Sequence, residues 1–347
     1  MSNGADILQN KRWSMIFRQH PLLEKILNNL LILVGSIFVL SIIVFVFARL
    51  SPGDPLLAFY GDALEFMGPA ELDAARARLG LDGPIYIQYI HWLANAATGN
   101  FGLSLQYKIP AMDVISPLIV NTLILGITGY ILVFTLAILV AIGCALHEDG
   151  LFDRIACQLG TMIYFIPAFW LGLCLVLIFS INLNWLPSSG AYDFGMSGNL
   201  VNRIEHLILP LTIMIGSHIW YYAYMIRNKL LDENRKDYVL LAKAKGLSKS
   251  EIIWKHSLRN VAPTIINLMA ISIPHVLSGT AIAEAVFNYP GIGNMAVIAA
   301  KYHDYNLLML LVLISGSIVI IASIVAYSIN EVVDPRMKDT GVTVWEK

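Results

Sequence analysis

Six apolar stretches, each about as long as a bilayer is thick, constrain this chain more than any other feature. A helix needs roughly 20 residues to cross the hydrocarbon core with every backbone hydrogen bond satisfied internally. Such stretches fall near Leu27–Ala48, Leu118–Leu146, Ile155–Ile181, Leu207–Ile226, Ile265–Ala283 and Leu307–Ile329. Composition agrees: 57% of the 347 residues are hydrophobic, 14% are charged and the mean hydropathy is +0.67. A soluble domain carries charge at about a quarter of its positions. The expected fold class is therefore all-α, a polytopic membrane protein with six transmembrane helices.

Charge placement sets the expected orientation, because short loops rich in Lys and Arg stay on the cytoplasmic side. The segments before the first stretch, between the second and third, between the fourth and fifth, and after the sixth hold 4, 1, 9 and 3 Lys/Arg, or 17 of the 23. Both termini are expected in the cytoplasm. The first stretch is expected to be a retained anchor, since its apolar core is too long for a signal peptide and no small-x-small cleavage site follows "VFARLSPGDP". The chain then divides into a cytoplasmic segment 1–26, a first transmembrane helix 27–49, an external insert 50–117, a five-helix core 118–330 and a cytoplasmic tail 331–347. Within the insert, "AELDAARARLG" has helical spacing and a glycine stop, which predicts a small helical unit.

The longest basic loop, between the fourth and fifth stretches, contains "DYVLLAKAKGLSKSEIIWKHSLRN" from Asp237 to Asn260. Asp237 to Lys245 favour helix and Gly246 interrupts it. "SKSE" from Ser248 to Glu251 fits a capping box that starts a second short helix. Tyr238, Leu241 and Ala242 are expected along one side of the first helix, with Ile252, Ile253 and Trp254 apolar on the second. An apolar knob on a polar loop fits a groove on another protein. The competing reading is a basic surface loop resting on lipid headgroups.

Other chemistry finds little support. The formal net charge of −1 gives no field for nucleic acid. No G-x-x-x-x-G-K-[ST] loop is present to cradle ATP phosphates, "HEDGL" at His147 lacks the second histidine of a zincin, and no G-x-S-x-G elbow occurs. Cys144, Cys157 and Cys174 have no metal-like spacing and are expected to pack as apolar side chains. No metal site is expected. His218 and His275 are the ionisable groups placed within the spans; they either line a pathway or pack as hydrogen-bonded residues. An ion-coupled secondary transporter remains a rival class on helix number alone.

The loop "DYVLLAKAKGLS...HSLRNVAP" resembles that of binding-protein-dependent ABC importer permeases, in the branch that carries dipeptides, oligopeptides and nickel. "RLSPGDP", "LGLDGPIYIQYIHWL", "GNFGLSL", "WLPSSGAY", "EAVFNYPGIG" and "DPRMK" extend the resemblance in order along nearly the whole chain. The superfamily's loop motif begins Glu-Ala-Ala; here Leu240, Leu241 and Ala242 stand at those places. The resemblance implies that the loop is a coupling helix docking on an ATPase subunit through Tyr238, Ala242, Gly246, Leu247 and Ser248. From the residues themselves, Glu284 at the outer end of the fifth stretch is expected to be a structural or gating group that caps an external turn formed by Asn288, Tyr289, Pro290, Gly291 and Gly293, where Pro and Gly restrict and permit the needed dihedrals.

The implied protein is not an enzyme itself and holds no cofactor. ATP and Mg bind to two separate ATP-binding subunits. The further partners implied are a second homologous permease, an extracytoplasmic substrate-binding protein and the lipid of a bacterial inner membrane. Peptides are the expected cargo, because His, Cys and Met are scattered where nickel would favour a cluster. Nickel or a metal chelate is the alternative.

Overall fold

The computed structural model describes residues 21–50 and 55–333. The 1–20 segment, the 334–347 tail, most of "RLSPGDP" and the "DPRMK" motif lie outside the described residues. The helices, in chain order, are α1 (Pro21–Leu50), α2 (Pro55–Tyr60), α3 (Pro69–Arg78), α4 (Ile85–Ala97), α5 (Ala111–Leu146), α6 (Leu151–Tyr164), α7 (Ala168–Leu175), α8 (Leu200–Asn234), α9 (Asp237–Ala244), α10 (Lys249–Ile252), α11 (Leu258–Val286), α12 (Ile292–Lys301) and α13 (Tyr305–Val333). Among the described residues there is no strand beyond an isolated bridge between Leu103 and Pro110. That composition of elements suits a low-dielectric solvent in which unpaired backbone groups are costly. The all-α expectation holds.

α1, α5, α8, α11 and α13 are each long and apolar enough to cross a membrane. The stretch expected as one helix, Ile155–Ile181, is instead broken. α6 and α7, the latter running on as a π-helical segment Val176–Asn182, meet at a bend of 100°. Pro167 supplies the cause: it has no N–H to donate and its ring disfavours helical geometry at the preceding Ile166. α6 therefore closes with a tight turn, in which the Ile166 amide donates to Ile163 O at 3.1 Å. Six spans result when the bent pair is taken as one.

Packing centres on α5 against α8, with α11 and α13 alongside. Between apolar helices in lipid, close approach rather than hydrophobic transfer drives association. Gly129 of α5 lets Met214 of α8 come so close that a Cβ there would stand 2.6 Å from the Met214 Cε. α1 keeps most of its surface exposed and packs on α13 and α4, with Phe45 wedged against Tyr89 and Trp92 at centroid separations of 5.3 and 6.1 Å.

The insert is shorter than expected, because helix α5 begins at Ala111 and claims residues up to Pro117. α3 matches the predicted helix in "AELDAARARLG", and Gly80 follows it at φ +66. Asp304, which sequence reasoning missed, ties the insert down. One carboxyl oxygen caps α13 by accepting from the Leu307 amide at 3.2 Å; the other accepts from the Ser104 hydroxyl and from the Gln106 amide at 3.1 Å. This end is the insert end of the bundle, and the end carrying α9 and α10 is the loop end.

Candidate functional site

At the loop end, α9 stops at Ala244 and Gly246 turns the chain at φ +82, a region open to glycine and costly for most residues. Its amide donates to Lys243 O at 2.9 Å. Ser248 then caps α10: its hydroxyl accepts from the Glu251 amide at 3.3 Å, while the Glu251 carboxylate accepts from the Ser248 amide at 3.1 Å. The helix, glycine, capped-helix order read from the sequence is the order observed.

The expected faces need correction. Val239 and Ala242, three residues apart, turn inward with Ile252, and Tyr238 and Leu247 pack against them half-buried. Leu241 is not on that side; Leu240 and Leu241 face out at 66% and 58% exposure. Ile252 and Ile253 are buried, leaving Trp254 as the outward apolar residue of the second piece. Of the proposed docking residues, Gly246 and Ser248 are exposed and Ala242 is buried. An apolar residue read as a knob can equally be the loop's own anchor, and only the contacts decide.

Polar ties hold this loop to the bundle. Lys249 Nζ donates to Leu146 O at the end of α5 at 2.6 Å. Glu233, at the end of α8, pairs with Lys236 at 2.6 Å and accepts from Asn260 Nδ2 at 3.1 Å, while Ser257 Oγ donates to Asn234 Oδ1 at 2.7 Å. Deeper, Arg227 of α8 makes a two-pronged ion pair with the buried Asp153 of α6. The planar guanidinium fork suits a carboxylate geometrically. These ties anchor the loop to α5, α8 and α11.

At the insert end, Glu284 is fully buried near the end of α11. Its carboxyl group accepts from the Thr122 hydroxyl and the Gly293 amide, each at 2.7 Å, and from the Asn294 amide at 3.1 Å. The turn from Asn288 to Gly293 wraps this carboxyl. A Cβ on Gly291 would collide with it, and one on Gly293 would stand 2.6 Å from the Ala281 Cα. Asn288 is left-handed at φ 43, Tyr289 is buried, and Pro290 O accepts from Asn121 Nδ2 of α5 at 2.9 Å. These six residues form one packed unit that joins α11, α12 and α5.

Between the two ends, His218 of α8 and His275 of α11 come together edge to face with ring centroids 5.4 Å apart. They line a cleft of about 350 Å³ with Tyr164, Tyr221, Tyr222 and Ser272. His218 fits there because Gly279 has no side chain; a Cβ would stand 3.0 Å from its Cε1. The sequence marked the two histidines but not the tyrosines, whose shared surface depends on the α6 break. Among the described residues no group of three or more His, Cys, Asp and Glu converges on a point that could hold a metal ion.

Residues 134–339 match the family of binding-protein-dependent transport system inner membrane components, and residues 20–112 match the N-terminal region of such components. The chain belongs to this family of ABC-importer permeases. It is 30% identical to the oligopeptide transport system permease protein AppB of Bacillus subtilis, over 91% of this chain and 98% of AppB. It is 29% identical to the di/tripeptide transport system permease protein DppB of Pseudomonas aeruginosa, over 91% of this chain and 99% of DppB. A chain of the inward-facing MetNI methionine ABC transporter aligns with 63% of this chain and 97% of its own, at 16% identity and a TM-score of 0.48. The protein is a multi-pass permease component, and the secondary-transporter reading falls.

Proposed function

We propose that this permease imports peptides, delivered by an extracytoplasmic binding protein, through a path it forms with a second permease, driven by two ATP-binding subunits, one of them docked on the α9–α10 loop. The observation that carries the docking is the two-sided loop. One face is anchored to α5, α8 and α11, and the other presents Leu240, Leu241 and Trp254 outward. ATP can shift the path only through contacts that differ between two states, and an anchored loop transmits such a difference to the spans. The names of AppB and DppB support peptide cargo.

Uptake of labelled di- and oligopeptides beside radioactive nickel, in cells with and without the gene, tests the cargo. Peptide accumulation is expected to fall to background without the gene while nickel is unchanged. Loss of nickel uptake with peptide uptake intact reverses the choice.

The proposed orientation puts the insert end outside and the loop end in the cytoplasm. In a background without Cys144, Cys157 and Cys174, Ala74→Cys and Lys245→Cys each place a thiol at an exposed position of one end. A membrane-impermeant thiol reagent on intact cells is expected to label the Ala74 site alone, and the Lys245 site only after permeabilisation. The reverse pattern would overturn the orientation.

A further inference from the structure

Three polar groups of the histidine cleft, Ser217, Ser272 and His218, share a property that the family match does not supply: their hydrogens are already committed to main-chain carbonyls. Ser217 Oγ donates to Ile213 O at 2.8 Å and lies 3.0 Å from His218 Nδ1, and Ser272 Oγ donates to Met269 O at 2.7 Å, so each hydroxyl keeps only lone pairs for a ligand. His218 Nδ1 lies 2.9 Å from Met214 O, an atom that can only accept. In the neutral ring the hydrogen therefore sits on Nδ1, and Nε2 is an acceptor. It stands beside Gly279, where a Cβ would come within 3.3 Å of it.

Aromatic faces make up much of the remaining wall. Tyr164 and Tyr221 are stacked at 6.2 Å and 21°, and both are about half exposed. Tyr222 meets Tyr221 edge to face at 5.2 Å. His275 is exposed, and its ring makes no hydrogen bond among the described residues. Among the described residues no Lys, Arg, Asp or Glu lines the cleft. Lone pairs and π faces attract a cation that carries hydrogen-bond donors. Without a fixed acid the attraction stays modest, which suits a site that must release what it takes up.

We propose that this cleft between α6, α8 and α11 is a transit site for the amino-terminal ammonium group of the transported peptide. Lone pairs of His218, Ser217 and Ser272 receive its N–H groups, and Tyr164 and Tyr221 face its charge. The proposal rests on the reading of the chain as a peptide permease. His275 completes the wall and contributes whichever ring nitrogen the ligand requires.

The test is made in the assembled transporter, with Cys144, Cys157 and Cys174 replaced by serine and Ile271→Cys introduced on the cleft wall. Two methanethiosulfonates of similar size, one bearing trimethylammonium and one bearing sulfonate, are compared for labelling rate. Ile282→Cys, an exposed position on the same helix outside the cleft wall, is the reference. The cationic reagent is expected to be favoured at the Ile271 site by about tenfold over the reference, an attraction of about 1.4 kcal/mol. His275→Gln, the mild variant at an exposed ring, and the double variant His218→Phe with His275→Phe are expected to bring the ratio toward the reference. Excess tripeptide with a free amine is expected to slow labelling, and the N-acetylated tripeptide to leave it unchanged.

Equal rates for the two reagents overturn the site while leaving the uptake result for peptides untouched. Cation preference without protection by any peptide overturns the peptide reading instead. Protection by nickel ions in place of peptides overturns the ammonium assignment.

Discussion

Glu284→Ala is expected to lower sharply both the thermal stability of the detergent-solubilised protein and its level in membranes. The carboxyl group is the shared acceptor for the Thr122 hydroxyl and the Gly293 and Asn294 amides, and it is fully buried. Removing it leaves three donors without a partner where water does not reach, at a cost of about 1–3 kcal/mol for each. It also opens the centre of the turn that holds α12 against α11. Glu284→Gln keeps one acceptor oxygen but turns an NH₂ group toward donors, so its loss is expected to be smaller.

Gly293→Ala approaches the same cradle from the other side. Its Cβ would stand 2.6 Å from a backbone atom of Ala281, and main chain cannot swing aside as a side chain can. It should therefore match or exceed the Glu284→Ala loss. Thermal unfolding followed by tryptophan fluorescence, together with quantification in membranes, measures both. A Glu284→Ala protein that melts at the wild-type temperature would show that the cradle carries no structural weight.

That cradle also shows how far a sequence can be read. Glu284 and the glycines sit within ten residues of one another, so turn chemistry marked them as a unit. Thr122 and Asn121, which complete the unit from α5, lie more than 160 positions away in the chain, and nothing local to them points there. Separation along the chain also hid Asp304, whose partners Ser104 and Gln106 are about 200 residues earlier, and the Asp153–Arg227 pair, 74 positions apart. Hydropathy located the spans because lipid imposes length and apolarity on each segment separately. It did not locate the α6–α7 break. Pro117, Pro210, Pro263 and Pro274 all lie inside continuous helices, so Pro167 carried no distinguishing mark in the sequence.

The loop divided along the same line. Caps and turns are local, and the α9–Gly246–α10 order followed from the single stretch Asp237 to Glu251. Which apolar residues face in depends on what the loop lies against. Val239 and Ala242 face a core that includes Ile252, so Leu240 and Leu241 are left outside.

Gly246→Pro is expected to abolish transport while leaving membrane insertion intact. Proline fixes φ near −65°, whereas Gly246 sits at φ +82, and it removes the amide that donates to Lys243 O at 2.9 Å. It also disfavours the near-helical geometry of the preceding Lys245, at φ −81 and ψ 4. Three conflicts at one turn cost about 3 kcal/mol or more, and relief comes from opening the angle between α9 and α10. That angle sets where Leu240 and Leu241 stand relative to Trp254, so the proposed docking surface is lost even though every residue in it remains. The spans are untouched because a Cβ at Gly246 would meet nothing within 4 Å among the described residues. Co-purification of the ATP-binding subunits and peptide uptake should both fall to background, with the membrane level unchanged. Gly246→Asn separates the turn from mere tolerance of substitution: asparagine enters the left-handed region more readily than other residues, so it should retain much of the uptake. A Gly246→Pro protein that still binds its ATP-binding subunits and imports at the wild-type rate would remove this loop from the coupling path. The contacts that transmit ATP closure would then have to lie elsewhere on the loop end.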